Sequence, residues 1–416
     1  MRFLRRASDQ TFLSLQVRNF RLYMIGQFIS ISGTWLQSFA LGYLVIVDLH
    51  GSAVDLAVTV ALPFLPMLLL GPFGGAVVDR SNKRRILYLT QSSAGLLALT
   101  MGILVTTHEV SLTAIWTIGA LLGVINLFDN PARQSFVQEM VGKELLPNAV
   151  SLNSAMINMG RIVGPAIGGA LLFVGIAACF YVNAVSFLAL LGALALMRSS
   201  EITRIRTVAR ARGQVREGLR YVWANDELRE VLASVVLVGL LAFNFTVTLP
   251  LLALGVLHGT RADYSFITCS MGLGGLLGGL FVAHRSRPTR KLLGALALCF
   301  GVLMAAVAIA PSVLLACLLI VPMGAASLAF VSTANATLQL NSKEEMRGRV
   351  MSLYAMGFLG TSPIGAIVIA LVAAASSARV AIGVGAAANL VAFAFLTLTA
   401  RTRTAAHAAV ASPTVA

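Results

Sequence analysis

Arg161 is the residue whose type and position could most directly do chemistry. It lies within an apolar segment, and at 1.5 Å of rise per residue it would sit roughly 18 Å along a helix that starts near Ala149. A cation at that depth in a bilayer is costly and is usually functional. The apolar segments carry no acid at a comparable depth. Two readings stay open: Arg161 stabilises its own helix, or it attracts an anionic group of a ligand.

Four other side chains in the apolar segments could line a cavity together with Arg161. Gln37, Asn126 and Asn244 carry amides, and Trp35 could form an apolar wall. An interhelical hydrogen bond explains each amide equally well, and Trp35 could equally face lipid. We therefore treat the four as candidate cavity residues whose alternative is ordinary helix packing.

A run of charges between the second and third apolar segments holds one acid among several cations. Its residues of interest are Gly75, Asp79, Arg80, Lys83 and Arg84. Gly75 would let two helices approach closely, and Asp79 could pair with a cation or with a helix N-terminus. Cations alone would be enough to orient a membrane protein, so the acid indicates a further role.

A glycine-rich element surrounds Arg161. It comprises Gly160, Gly164, Pro165, Gly168 and Gly169. Glycines four positions apart share one face of a helix and permit close packing, while proline removes a backbone hydrogen bond and permits a bend. We expect this face to form a tight, pliable seam against a helix of the other half of the chain.

The composition indicates an all-α protein that spans a membrane several times. Hydrophobic residues make up 58% of the 416 residues and charged residues 11%. In a soluble protein about a quarter of the residues are charged. The net charge of +15 is confined to short clusters between apolar runs, which argues against nucleic acid as a partner. Paired catalytic acids, metal-spaced histidines and a nucleotide-binding loop were not found, so we expect no enzyme, metal or cofactor.

A helix needs about 20 apolar residues to cross a bilayer, and this rule predicts twelve spans. They are residues 21–47, 55–78, 86–106, 112–130, 149–174, 177–197, 229–253, 263–283, 292–310, 312–334, 350–374 and 379–399. Nearly all Lys and Arg residues fall on one side if both termini are cytoplasmic, which predicts that orientation.

The spans divide into two sets of six. We predict an N-terminal bundle over 1–197, a basic cytoplasmic linker over 198–228, a C-terminal bundle over 229–400, and a disordered cytoplasmic tail over 401–416. A few residues recur between the halves at constant spacing, such as Gly164 with Gly365, which favours two pseudo-symmetric bundles.

Three stretches resemble the major facilitator superfamily of transporters. The charged loop at 75–87 is similar to the superfamily signature between its second and third helices, with Asn82 in place of a second glycine. Residues 160–169 resemble the G-P-x-x-G-G element of its antiporters. Residues 129–134 and 347–352 are similar to the branch that contains the bacterial enterobactin exporter and the macrolide-efflux exporters.

This resemblance implies a secondary active exporter of drugs, siderophores or related metabolites. It would reside in the cell inner membrane as a multi-pass monomer, with protons as the coupling ion, the lipid bilayer as its surroundings and alternating access as its mechanism. A lipid or lysophospholipid carrier of the same fold and a passive channel are the alternatives.

The resemblance also suggests roles for the charged residues. The loop around Asp79 would act as a cytoplasmic latch. We interpret Asp129 and Arg133, four residues apart, as a cytoplasmic gate pair; a proton relay and an incidental surface pair remain open. Asp48, near the outer mouth of the first span, is a candidate for proton coupling.

Overall fold

The computed structural model describes residues 13–203, 214–284, 288–358 and 360–411, and the long elements in these ranges are all α-helices. They are α1 (Arg18–Tyr43), α2 (Ala53–Ala61), α3 (Leu65–Arg80), α4 (Lys83–Thr106), α5 (Leu112–Leu171), α6 (Ile176–Leu196), α7 (Gln214–Ala224), α8 (Asp226–Leu241), α9 (Phe245–Pro250), α10 (Arg261–His284), α11 (Arg290–Ala308), α12 (Val313–Leu340), α13 (Glu344–Phe358), α14 (Ser362–Ala375) and α15 (Ala378–Ala411). In the described residues, eleven helical segments are long and apolar enough to cross a membrane.

The 60-residue α5 is not one straight rod. Gly142 breaks it with φ 72° and ψ −179°, a backbone conformation that favours glycine. Before the break, the Trp116 indole N–H donates to the Thr59 hydroxyl of α2 over 3.2 Å. Phe136 then meets Tyr23 near the start of α1, with ring centroids 6.2 Å apart. The first part of α5 therefore runs towards the beginning of α1.

The second part of α5 runs back in the opposite direction. The Asn148 side-chain oxygen accepts a hydrogen bond from the Ser14 backbone N–H over 3.0 Å, just before α1 begins. Further along, Gly168 lies against Phe39 near the end of α1. The two parts of α5 are thus antiparallel helices joined at Gly142.

The predicted fifth span, 149–174, corresponds to this second part, which is not among the eleven apolar segments. Asn153, Asn158 and Arg161 lower its mean hydropathy. The count of twelve spans and the location of both termini therefore stay predictions. At the C-terminal end α15 continues to Ala411, where a disordered tail was expected from residue 401; residues 412–416 lie outside the described part.

The chain forms two compact units. One contains the described residues up to Ala209 together with Leu249–Gly272, and the other contains those of Arg210–Thr248 and of Leu273–Ala416. These units differ from the predicted bundles at 249–272, a segment that packs with the first unit. The predicted linker contains α7 and the start of α8, while residues 204–213 lie outside the described part.

A turn of sequence His-Gly-Ser/Thr-x-x-Asp occurs twice, at residues 50–55 and 258–263. Each follows a short π-helical segment, Leu44–Asp48 or Leu251–Val256. In both copies the histidine has positive φ, 50° and 48°. The Ser or Thr backbone N–H and hydroxyl each donate to the Asp carboxylate over 2.8 Å, which caps the next helix. Sequence analysis missed this repeat, although its residues are visible in the sequence.

Candidate functional site

Arg161 and Trp35 form the centre of the candidate site. Arg161 lies in the second part of α5 and Trp35 in α1, where the two helices are adjacent. The guanidinium carbon is 4.8 Å from the centroid of the indole ring, within the range of a cation–π interaction. Arg161 is exposed and Trp35 is half-buried. Among the described residues no carboxylate pairs with Arg161.

Glycines bring α5 close enough to α1 for that contact. A Cβ on Gly164 would lie 2.6 Å from the Trp35 Cβ and 2.7 Å from the Leu36 backbone nitrogen, and one on Gly168 would lie 2.5 Å from a Phe39 ring carbon. Gly164 and Gly168 therefore pack on α1, whereas the expected contact with a helix of the predicted C-terminal bundle is made by Pro165 and Gly169, which meet Ser265 of α10. Spacing identifies the face of a helix but not the helix that covers it.

Only one of the glycines in this element meets α10. Gly169 lies against Ser265, whose hydroxyl donates to the Pro165 carbonyl over 3.0 Å. One turn further along α10, the Cys269 thiol lies 3.8 Å from the Ile162 carbonyl oxygen. Within the first unit, small and polar residues of α10 thus pack against α5 on both sides of Pro165.

The amide of Gln37 is engaged in helix packing. Its side-chain oxygen accepts a hydrogen bond from the Asn183 amide of α6 over 2.6 Å, and both residues are buried. The Asn183 oxygen in turn accepts from the Ser186 hydroxyl over 3.2 Å. Gln37 therefore follows the packing alternative, and the structure does not bring it to Arg161.

The remaining cavity and coupling candidates are dispersed. Asn126 is half-buried in the first part of α5. Asn244 is buried at the break between α8 and α9, where its amide donates to the Leu240 carbonyl over 2.8 Å. Asp48 is exposed at the end of the π-helical segment after α1. Within the first unit, the predicted cavity residues that the structure brings together are Arg161 and Trp35.

Asp129 and Arg133 form an ion pair inside the first unit. The Asp129 side chain is buried and accepts two further hydrogen bonds, from the Thr90 hydroxyl over 2.6 Å and the Gln91 amide over 2.8 Å. A surface pair would be solvated, so that alternative is wrong. The sequence offered one signal for the missing partners, the polar Thr90–Gln91 step within an apolar span.

Two cations of the charged loop contact different helices of the first unit. Lys83 is buried, and its amine lies 3.5 Å from the Glu139 carboxylate of α5 and 3.2 Å from the Asp79 backbone carbonyl. Arg84 donates to the Leu194 carbonyl at the end of α6 over 2.5 Å and to the Met197 carbonyl over 3.3 Å. These bonds satisfy carbonyls that the end of a helix leaves without partners.

The remaining residues of the charged loop make fewer polar contacts within the described residues. Asp79 is half-buried, and within the described residues its carboxylate has no ion pair. Arg80 is exposed and Gly75 is half-buried. Its neighbour Gly74 makes a close helix approach, since a Cβ there would lie 2.6 Å from the Leu127 carbonyl oxygen.

The transmembrane secretion effector family matches residues 9–415 of this sequence. The chain belongs to this family of the major facilitator superfamily. The staphyloferrin A transporter of Staphylococcus aureus is 25% identical over 85% of this chain and 89% of the relative. The multidrug efflux pump Tap of Mycolicibacterium fortuitum is 28% identical over 79% and 82%.

Solved structures agree on the fold. A bacterial homologue of the human lysosomal transporter Spinster superposes with a TM-score of 0.74, at 14% identity, over 92% of this chain and 97% of that one. The predicted superfamily and branch are confirmed, since macrolide efflux and enterobactin exporters are also relatives. This family member is a multi-pass membrane protein whose relatives are transporters of small molecules.

Proposed function

We propose that this family member exports small organic molecules across the inner membrane by alternating access, in exchange for protons. The observation that carries the proposal is the Arg161 guanidinium beside Trp35, on an exposed residue of α5 that pairs with no carboxylate among the described residues. In this proposal the second part of α5 crosses the membrane, and a cation halfway along it is too costly to face lipid, so it must face water. A water-filled cavity at this depth is the place where a transporter binds its cargo. The drug and siderophore transporters among the relatives favour a small organic molecule as the cargo.

We infer that both parts of α5 cross the membrane, which would give twelve spans. The segments Leu44–Asp48 and Leu251–Val256 pack against each other within the first unit, so the two turns share one end of it. An even number of crossings must therefore separate the turns. Counting α5 once leaves five of the apolar segments between them, whereas counting it twice gives six.

Labelling of single cysteines tests this topology. In a chain whose four native cysteines are replaced by serine, Glu109→Cys and Val174→Cys flank α5 at exposed positions. We expect a membrane-impermeant maleimide to label both from the same side of the membrane. Glu201→Cys, which lies beyond α6, is the control and should be labelled from the opposite side. Labelling of the two α5 positions from opposite sides would contradict the twelve-span topology.

The buried polar network around Asp129 supports a role as the gate at the cytoplasmic side. It connects α4 to the first part of α5 through Thr90 and Gln91, and Lys83 with Glu139 connects the same two helices. Such paired charges hold helices in one arrangement and release them when a partner is lost. In this proposal Asp79 contributes to the gate, while Asp48 remains a secondary candidate for proton coupling.

An efflux assay tests the transport function. Cells that produce the protein should lose a preloaded fluorescent dye faster than cells that carry an empty vector. A protonophore should abolish the difference, because secondary export requires the gradient. Gly192→Ala, at an exposed glycine whose added Cβ meets no atom within 4 Å, is the matched control and should keep full activity. Efflux that persists after collapse of the gradient would reject proton coupling.

A further inference from the structure

We propose that Arg161 and Trp35 form a subsite for an anionic group with two coplanar oxygens, a carboxylate or a phosphate, on the exported molecule. This inference rests on the proposed transport function and names the class of cargo. Arg161 is an exposed residue at mid-helix, and its guanidinium carbon lies over the Trp35 ring, 4.8 Å from the ring centroid.

Several other cations of the helices have oxygen partners. Lys83 pairs with Glu139, Arg133 with Asp129, and Arg290 with Glu230. Arg84 and Arg379 donate to carbonyls at helix ends. Arg161 differs from them because no hydrogen bond or ion pair to its side chain occurs within the described residues. Its donors therefore remain available for a ligand.

The two helices that meet at Arg161 carry no acidic residue along these stretches. The sequence has no Asp or Glu from Arg18 to Val47, which covers α1, and none from Leu145 to Leu171 in α5. A water-filled cleft with apolar walls focuses the field of its charges, so a single uncompensated cation concentrates anions. A cationic cargo would be repelled at this position.

The position of the guanidinium over Trp35 also gives the site a geometry. A guanidinium that lies over an aromatic ring keeps its plane fixed and directs its N–H groups outwards along that plane. Two parallel N–H donors match the two oxygens of a carboxylate or a phosphate. The indole adds a flat apolar surface beside them, so an anion attached to a planar ring fits best.

Binding of a matched set of probes tests the proposal. The purified protein is titrated with 1-naphthoate, its neutral isostere 1-naphthamide and the cation 1-naphthylmethylammonium. We expect naphthoate to bind about tenfold or more tightly than the amide, since hydrogen bonds to charged groups are the stronger ones. Arg161→Gln should remove this preference, and Arg161→Lys should retain part of it because it keeps the charge but not the fork.

The outcomes separate this proposal from the transport function. Equal binding of naphthoate and naphthamide by the native protein, or preference for the ammonium, would overturn the anionic subsite whatever the variants do. Displacement of naphthoate by lysophosphatidate in the native protein but not in Arg161→Gln would assign the oxygens to a lipid phosphate. Anion binding that depends on Arg161, without gradient-driven efflux, would leave the subsite intact and reject the exporter.

Discussion

Replacing Arg133 by Met should lower the free energy of unfolding by about 3 kcal/mol, because loss of one partner leaves the other charge buried. The Asp129 carboxylate would then retain only Thr90 and Gln91 as donors. The change in the free energy of unfolding is measured by titrating the protein, purified in a mild detergent, with a denaturing detergent. We also expect slower efflux, since the network connects two helices of the proposed gate.

A double variant separates the lost charge pair from lost packing. Asp129→Asn combined with Arg133→Met removes both charges and keeps an acceptor oxygen for Thr90 and Gln91. We expect it to recover most of the stability that Arg133→Met loses, because replacing a whole buried ion pair is often nearly neutral. If Arg133→Met alone is as stable as the native protein, the pair does not hold these helices together.

Replacing Gly164 by Ala should destabilise the protein by about 1–3 kcal/mol, the usual cost of overpacking a tight contact. The new Cβ would lie 2.7 Å from the Leu36 backbone nitrogen and 2.8 Å from the Ser32 carbonyl oxygen. Backbone atoms cannot rotate away, so α5 must shift relative to α1. The shift would also draw Arg161 away from Trp35.

Two measurements follow the Gly164→Ala change. Thermal unfolding reports stability, and the preference for naphthoate over naphthamide reports the Arg161 subsite; both should fall. Gly192→Ala adds the same methyl group to α6 without any contact within 4 Å. It should be neutral or slightly stabilising, because alanine favours a helix more than glycine. If the two substitutions have equal effects, the close contact between α1 and α5 at Gly164 does not limit the size of the side chain there.

Local patterns carried most of what sequence could predict. The apolar segments, the charged loop and the Asp129–Arg133 pair follow from periodicity and short spacing, and the structure contains all three. The second part of α5 escaped the hydropathy criterion because Arg161 and two asparagines interrupt it. Read by its length and mostly apolar residues, the sequence nevertheless predicts this segment as the fifth span, 149–174.

Contacts between distant segments could not be read from one sequence. Lys83 and Glu139 are 56 positions apart, and nothing local in either segment identifies the other as its partner. Gln37 shows the opposite error, since a polar side chain in a membrane helix looks the same whether it faces a cavity or another helix. Its bond to Asn183 depends on which helices pack together.

The twofold occurrence of the His-Gly-Ser/Thr-x-x-Asp turn bears on the origin of the chain. Each copy has the same hydrogen bonds and a positive φ at its histidine. Elsewhere the two halves share only a few residues at constant spacing. A shared backbone of this detail indicates descent from a half-length ancestral protein whose gene was duplicated and fused. Before the fusion, two separate copies inserted in the same direction would have had to associate to make one complete carrier.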